Sequence, residues 1–219
     1  MNSESQPFRT SFAKILTDTD QPDLELANIG RRRTPKKPRE ASPKSLENAA
    51  IYYLKRYASS TANLKSVLMR RVLKSAGHHG TDVEEGRGWV DDVIFKLQNS
   101  GYLDDQQYAE TRIHSLYSRG LSPRAIRVKL SEKGVPANIV TEALRVLSEE
   151  SENPELQAAI TTARRRKLGP YRTRGDRQEN RERDLASLAR GGFSYDIAVT
   201  VVDTDTAEEL EDCITLDPS

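Results

Sequence analysis

The stretches LSEKGVPANIVTEAL (130–144) and LARGGFSYDIAVTVV (188–202) lie over one another without a gap. Leu130, Gly134, Val135, Ile139 and Ala143 coincide with Leu188, Gly192, Phe193, Ile197 and Val201. Each reads as a helix, a glycine stop in left-handed geometry at the position after the C-cap, and a second helix. A chain that repeats such a unit is confined to a repeat architecture, because one unit buries too little apolar surface alone.

Apolar residues at helical spacing extend this pattern from Ser45 to Asp203. Leu46, Ala50 and Leu54 open the first group, followed by Leu64, Leu68 and Val72 and by Val90, Val93, Ile94 and Leu97. The second group runs through Ile113 and Leu116, Ile126 and Leu130, and Val140 to Leu147; the third runs through Leu156 and Ile160, Leu185 and Leu188, and Ile197 to Val202. Nine helices in threes, with a period of about fifty residues, predict an all-α fold of three tandem three-helix repeats stacked as an elongated, curved array. The expected divisions are a disordered basic arm over 1–44, repeats over 45–103, 104–152 and 153–203, and an acidic tail over 204–219. The mean hydropathy of −0.71 and 31% charged residues fit helices with narrow apolar stripes.

The repeats differ in their connections. SAGHHGTDVEEGRG reads as a long glycine-rich insertion in the first, and GPYRTRGDRQENRERD as a polar insertion in the third. Ser122-Pro123 and Asn153-Pro154 read as N-cap followed by proline at the first helical position.

The stretch SGYLDDQQYAE (100–110) puts two carboxylates side by side. One register gives each residue a local task. Gly101 stops a helix, with Tyr102 and Leu97 as the flanking pair of a Schellman motif. Asp104 caps the next helix, Gln107 completes a capping-box-like pair, and Leu103 and Tyr108 form a hydrophobic staple. Asp105 favours the positive end of the helix dipole. Asp104 and Asp105 are thus read as structural.

The remaining chemistry points to binding. His78, His79 and His114 have no companions at metal-ligand spacing, so no metal is expected. Cys213 lies in an acidic tail with no basic neighbour to activate it, and there is no phosphate-binding GxxxxGK[ST] loop. No catalytic residue and no cofactor are predicted. With a single cysteine, no long apolar run and no secretory leader, a reduced cytoplasmic setting and a monomer are expected.

From Gly101 to Gly134 the chain resembles the RecX family of recombination regulators. Gly101, Tyr102, Leu103, Asp104, Asp105, Tyr108, Ala109, Arg119, Gly120, Pro123, Arg124, Ile126, Leu130 and Gly134 carry the likeness. ENAAIYYLKRYASSTANLKSVL and LARGGFSYDIAVTVV extend it over roughly 45–203. The two insertions and both termini depart from the family pattern. The resemblance implies three tandem three-helix repeats. It also implies a protein that binds the RecA recombinase and its single-stranded DNA filament and inhibits filament extension, ATP hydrolysis and strand exchange. Recombination, DNA repair and the SOS response would be modulated by such a protein. The competing expectation is a helix-turn-helix-like transcriptional or architectural DNA binder. Against it stands the lack of a helix with base-reading Arg, Asn and Gln near its N-terminus.

Charge segregates along the chain although its net value is only +1. RRRTPKKPRE (31–40) holds six bases and one acid, 161–183 holds nine bases and three acids, and 203–219 holds seven acids and no base. Between Arg112 and Lys133 six bases face one acid. Arg112, Arg119, Arg124, Arg127, Lys129 and Lys133, continued by Arg164, Arg165, Arg166 and Lys167, are therefore the expected contact track for a RecA–DNA filament, with DNA as an auxiliary contact. Most aromatics fall at core positions of the pattern, so base stacking is not expected to contribute much.

Overall fold

The computed structural model describes residues 37–150 and 153–215, and every regular element among them is a helix. In chain order these are α1 (Pro43–Leu54), α2 (Thr61–His79), α3 (Val83–Asn99), α4 (Asp105–Ser118), α5 (Pro123–Glu132), α6 (Ala137–Glu150), α7 (Pro154–Arg166), α8 (Arg177–Arg190), α9 (Tyr195–Asp203) and α10 (Ala207–Thr215), with a 3-10 turn at Gly169–Tyr171. The first nine form three tandem three-helix repeats. Gly101, Gly134 and Gly192 take φ of 71°, 70° and 84°, as the repeat pattern requires. Most of the expected basic arm, residues 1–36, lies outside the described residues. Its end is ordered: the Ala41 N–H donates to the buried Ser75 Oγ, and Ser42 and Ser45 close a capping box on α1.

The chain divides into two compact units. One comprises the described residues up to Ala58 with Lys65–Lys96; the other comprises Ser59–Leu64 with the chain from Leu97 onward. In the first unit the buried residues include Leu46, Ala50, Leu68, Val72, Val90 and Val93. The expected glycine-rich insertion here is mostly helix. Only Gly80–Asp82 separates α2 from α3, and Gly86 sits within α3 facing Val72, where a Cβ would collide with the valine methyls. Gly86 marks close helix packing rather than a loop, so tertiary contact overrides its low helix propensity, while Gly80 takes left-handed backbone in the short connection.

The second unit holds two apolar clusters. Ile113, Leu116, Ile126, Leu130, Val140 and Leu147 gather α4, α5 and α6. Leu156, Ile160, Leu188, Phe193, Val201 and Leu210 gather α7 to α10. Tyr117 packs against both, and its buried hydroxyl has no hydrogen-bond partner among the described residues. Burial pushes that phenol well above its ordinary pKa.

Two expectations about the third repeat change. Half of its polar insertion is the first part of α8, and Arg177 there donates to the Val202 carbonyl in the last turn of α9 and to the carbonyls of Thr204 and Asp205 just beyond it. The acidic tail begins with a tenth helix, anchored by the fully buried Leu210. Ala207, Leu210 and Ile214 recur at i, i+3 and i+7, a short helical trace inside an acidic segment that charge alone reads as a tail. Cys213 has no described side chain.

The opening of the second repeat follows its sequence closely. The Gly101 N–H donates to the Gln98 carbonyl (3.0 Å) and the Tyr102 N–H to the Leu97 carbonyl (2.9 Å), the paired bonds of a Schellman stop. Asp104 Oδ1 accepts from the backbone N–H groups of Gln106 (2.8 Å) and Gln107 (3.1 Å). The reciprocal half of the capping box is not formed. Asp105 has a task the sequence did not disclose: its Oδ1 accepts from the Thr61 N–H (2.7 Å), capping the N-terminus of α2 from across the fold. Both adjacent carboxylates are spent on helix starts.

Candidate functional site

Ser122 shows how the sequence builds the surface where the second and third repeats meet. Its hydroxyl caps α5 through the Ala125 N–H (3.2 Å) and donates to the Gly191 carbonyl (2.7 Å) at the turn between α8 and α9. Thr162 of α7 donates to the Gly120 carbonyl (2.6 Å), and the Asn153 side chain caps α7 as predicted. Short turns from one repeat are thereby seated on the helices of the next.

Basic side chains collect along this seam. Arg119 is the C-cap of α4, and its carbonyl accepts from Arg165 Nη1 of α7 (3.0 Å). Arg124 lies in the first turn of α5 with its aliphatic stem against Gly192. Arg124 and Arg127 are exposed, and neither meets an acid among the described residues. Their i, i+3 spacing puts them on one flank of α5. The seam thus joins Arg119, Arg124, Arg127 and Arg165.

Arg166 turns to α8, donating to the Ser187 carbonyl and hydroxyl. It opens onto a groove of about 560 Å³ shared with Lys167, Arg172, Arg174, Arg183 and Arg190. The acid in that groove, Asp184, is already engaged by Arg172 and by the Gly169 N–H (2.9 Å). Sequence reading missed Arg172, Arg174, Arg183 and Arg190 as companions of Arg166 and Lys167, because they sit in the insertion and along α8. The nine-to-three charge ratio of 161–183 was the available signal.

Other predicted residues stand apart. Lys129 is two residues from Arg127 and so about 200° around α5. Lys133, the C-cap of α5, is nine residues and roughly 13 Å along the helix from Arg124; its carbonyl accepts from the Ser60 hydroxyl. Arg112 is half-buried in the middle of α4. Arg164 is occupied internally: it pairs with Glu211 of α10 and stacks over the Tyr171 ring at 5.6 Å. Hydrogen bonds from Tyr171 and then from Arg164 hold the Glu211 carboxyl below its usual range.

Lys167 has the one positive φ, 58°, among the described non-glycine residues. It closes α7 in left-handed geometry, a place that glycine fills at low cost. Lys167→Gly should raise stability by about 1 kcal/mol in urea unfolding, since left-handed backbone costs an L-residue roughly that much. If lysine is retained for its charge, the same variant should bind a polyanion more weakly. A variant that is no more stable would contradict the strain.

The placement of aromatics corrects the sequence expectation. Tyr52, Phe95, Tyr102 and Tyr195 are each more than 60% exposed. On α1 and just beyond it, the Arg56 guanidinium lies 5.9 Å from the ring centroids of both Tyr52 and Tyr57. No helix among the described residues is long and apolar enough to cross a membrane.

The family model for the second three-helix domain of RecX matches residues 104–144. A regulatory protein RecX of Myxococcus xanthus is 48% identical over 178 residues, which cover 81% of this chain and 94% of the relative. A regulatory protein RecX of Agrobacterium fabrum is 30% identical over 167 residues, covering 76% and 86% of the two chains. Among solved structures, RecX from Lactobacillus salivarius shares the fold with a TM-score of 0.56 at 24% identity, over 77% of this chain and 96% of that one.

Proposed function

The chain belongs to the RecX family of regulatory proteins, and from that premise we propose that it binds the RecA recombinase and RecA filaments on single-stranded DNA. It thereby restrains filament extension, ATP hydrolysis and strand exchange, and modulates recombination, DNA repair and the SOS response in the cytoplasm. The protein acts by occupancy rather than by chemistry of its own.

The observation that carries this reading is the cationic seam between the second and third repeats, in a chain 48% identical to a regulatory relative over 81% of its own length. Arg119, Arg124, Arg127 and Arg165, with Arg166 and Lys167 on the adjoining groove, offer several separate contacts. A nucleoprotein filament repeats phosphates and protomer surfaces along its groove, so modest contacts add through multivalency. Occupying neighbouring protomers opposes the rearrangements that growth and ATP turnover require.

Arg124→Glu with Arg127→Glu tests the surface. The pair should weaken inhibition of RecA strand exchange about tenfold, the effect of roughly 1.4 kcal/mol of lost charge complementarity. Circular dichroism should not change, because both side chains are exposed. Full inhibition by the variant would remove α5 from the contact. A gel shift with and without RecA separates this reading from that of a duplex-reading transcription factor.

A further inference from the structure

A second cationic groove lies wholly within the first unit, away from every residue assigned above. Arg39, Arg70, Arg71 and Lys74 line it, over a floor of Pro38 and Val67, and its volume is about 460 Å³. All four cations are exposed, and none of their side chains has a hydrogen bond or ion pair with another described residue. Other cations of the same unit are answered: Lys65 pairs with Asp91 at 2.5 Å, and Arg87 with Glu84 at 3.4 Å. No acid among the described residues lines the groove.

The walls are fixed by the fold. Residues 67, 70, 71 and 74 recur at i, i+3, i+4 and i+7 and form one stripe along α2. The segment carrying Pro38 and Arg39 is fastened to the same helix at two points. The Ala41 N–H donates to Ser75 Oγ (2.8 Å), and the Pro38 carbonyl lies 2.8 Å from His79 Nε2. Arg39 is therefore held opposite Arg70, Arg71 and Lys74 rather than on a loose end. Four like charges gathered without an acid repel one another, and that cost is relieved only when a polyanion enters.

We propose that this groove binds the phosphodiester backbone of a nucleic acid strand without RecA. Arg70 to Lys74 spans about 6 Å along the helix axis, a spacing suited to neighbouring phosphates. Affinity for a nucleic acid backbone comes from cations along a line. A stable protein interface instead needs a broad patch, roughly 800 Å² per partner, with aromatic or apolar anchors at its centre. Pro38 and Val67 supply too little apolar surface for that, so the groove favours nucleic acid over an acidic protein segment.

The test uses the full chain in the absence of RecA, with fluorescence anisotropy of a labelled oligothymidylate at several salt concentrations. Arg70→Glu with Lys74→Glu should weaken binding about tenfold or more and lower the salt slope by about 1.4, two contacts at roughly 0.7 each. Lys55→Glu with Arg87→Glu, which makes the same change in net charge on the same unit, should leave binding within about twofold. Circular dichroism of both variants should match the parent. Equal weakening by the two pairs would reduce the effect to net charge and overturn the site. So would unchanged binding by the groove variant, or displacement of the oligonucleotide by polyglutamate as effectively as by unlabelled DNA; the last would assign the groove to an acidic protein. Because RecA is absent, none of these outcomes bears on the seam proposed above.

Discussion

Gly120→Ala should destabilise the protein by about 3–4 kcal/mol, whereas Gly101→Ala should cost only about 1 kcal/mol. Both glycines have left-handed backbone, at φ of 82° and 71°. An L-residue pays roughly 1–2 kcal/mol there whatever surrounds it. The neighbours make the difference. Around Gly101 an added Cβ meets nothing within 4 Å. At Gly120 it would stand 2.7 Å from Thr162 Oγ1 and 3.0 Å from both the Ala158 carbonyl oxygen and the Thr162 backbone nitrogen. Two of those atoms are backbone of α7 and cannot rotate away. Relief requires α4 and α7 to separate, which stretches the buried hydrogen bond from Thr162 to the Gly120 carbonyl. Overpacking adds about 1–3 kcal/mol. Urea unfolding of both variants measures the contrast, and equal costs would contradict the seam.

The second large effect concerns Asp184, which is 1% exposed. Its carboxylate accepts from the Gly169 N–H and from two nitrogens of Arg172, whose side chain is 15% exposed. Asp184→Ala leaves a largely buried guanidinium without its counter-charge and a buried amide without an acceptor. Removing one partner of such a pair costs about 3–5 kcal/mol. For a chain of this size the melting temperature should fall by roughly 10 °C, at about 2–4 °C per kcal/mol. Asp184→Leu with Arg172→Met should recover most of the loss, because replacing both partners removes the uncompensated charge. A double variant as unstable as the single one would show that the Gly169 amide, rather than the ion pair, dominates.

Elements governed by local rules were legible in the sequence. The glycine stops at Gly101, Gly134 and Gly192, the caps at Asp104, Ser122 and Asn153, and most buried positions of the nine periodic helices follow from spacing and turn chemistry. Features that depend on a distant partner were not. Gly86 looks like a breaker until Val72 is seen against it. Asp105 looks like a dipole residue until the Thr61 amide arrives. α10 holds its place through Leu210, and its short apolar trace of Ala207, Leu210 and Ile214 is outweighed by the acids around it.

The same division applies to the candidate surface. Composition located the basic segments, and helix phase paired Arg124 with Arg127. Phase also sets Lys129 on another flank. The pairing of Arg164 with Glu211 depends on a contact across 47 residues, which no local pattern announces. The groove companions of Arg166 and Lys167 are likewise brought in from α8 and the turn before it.

The most direct test of the proposed role is a titration of this protein into RecA hydrolysing ATP on single-stranded DNA. On that proposal one bound copy stalls several neighbouring protomers, so hydrolysis should fall steeply and approach zero by equimolar protein. An ATPase rate unchanged at equimolar protein would contradict the proposed role.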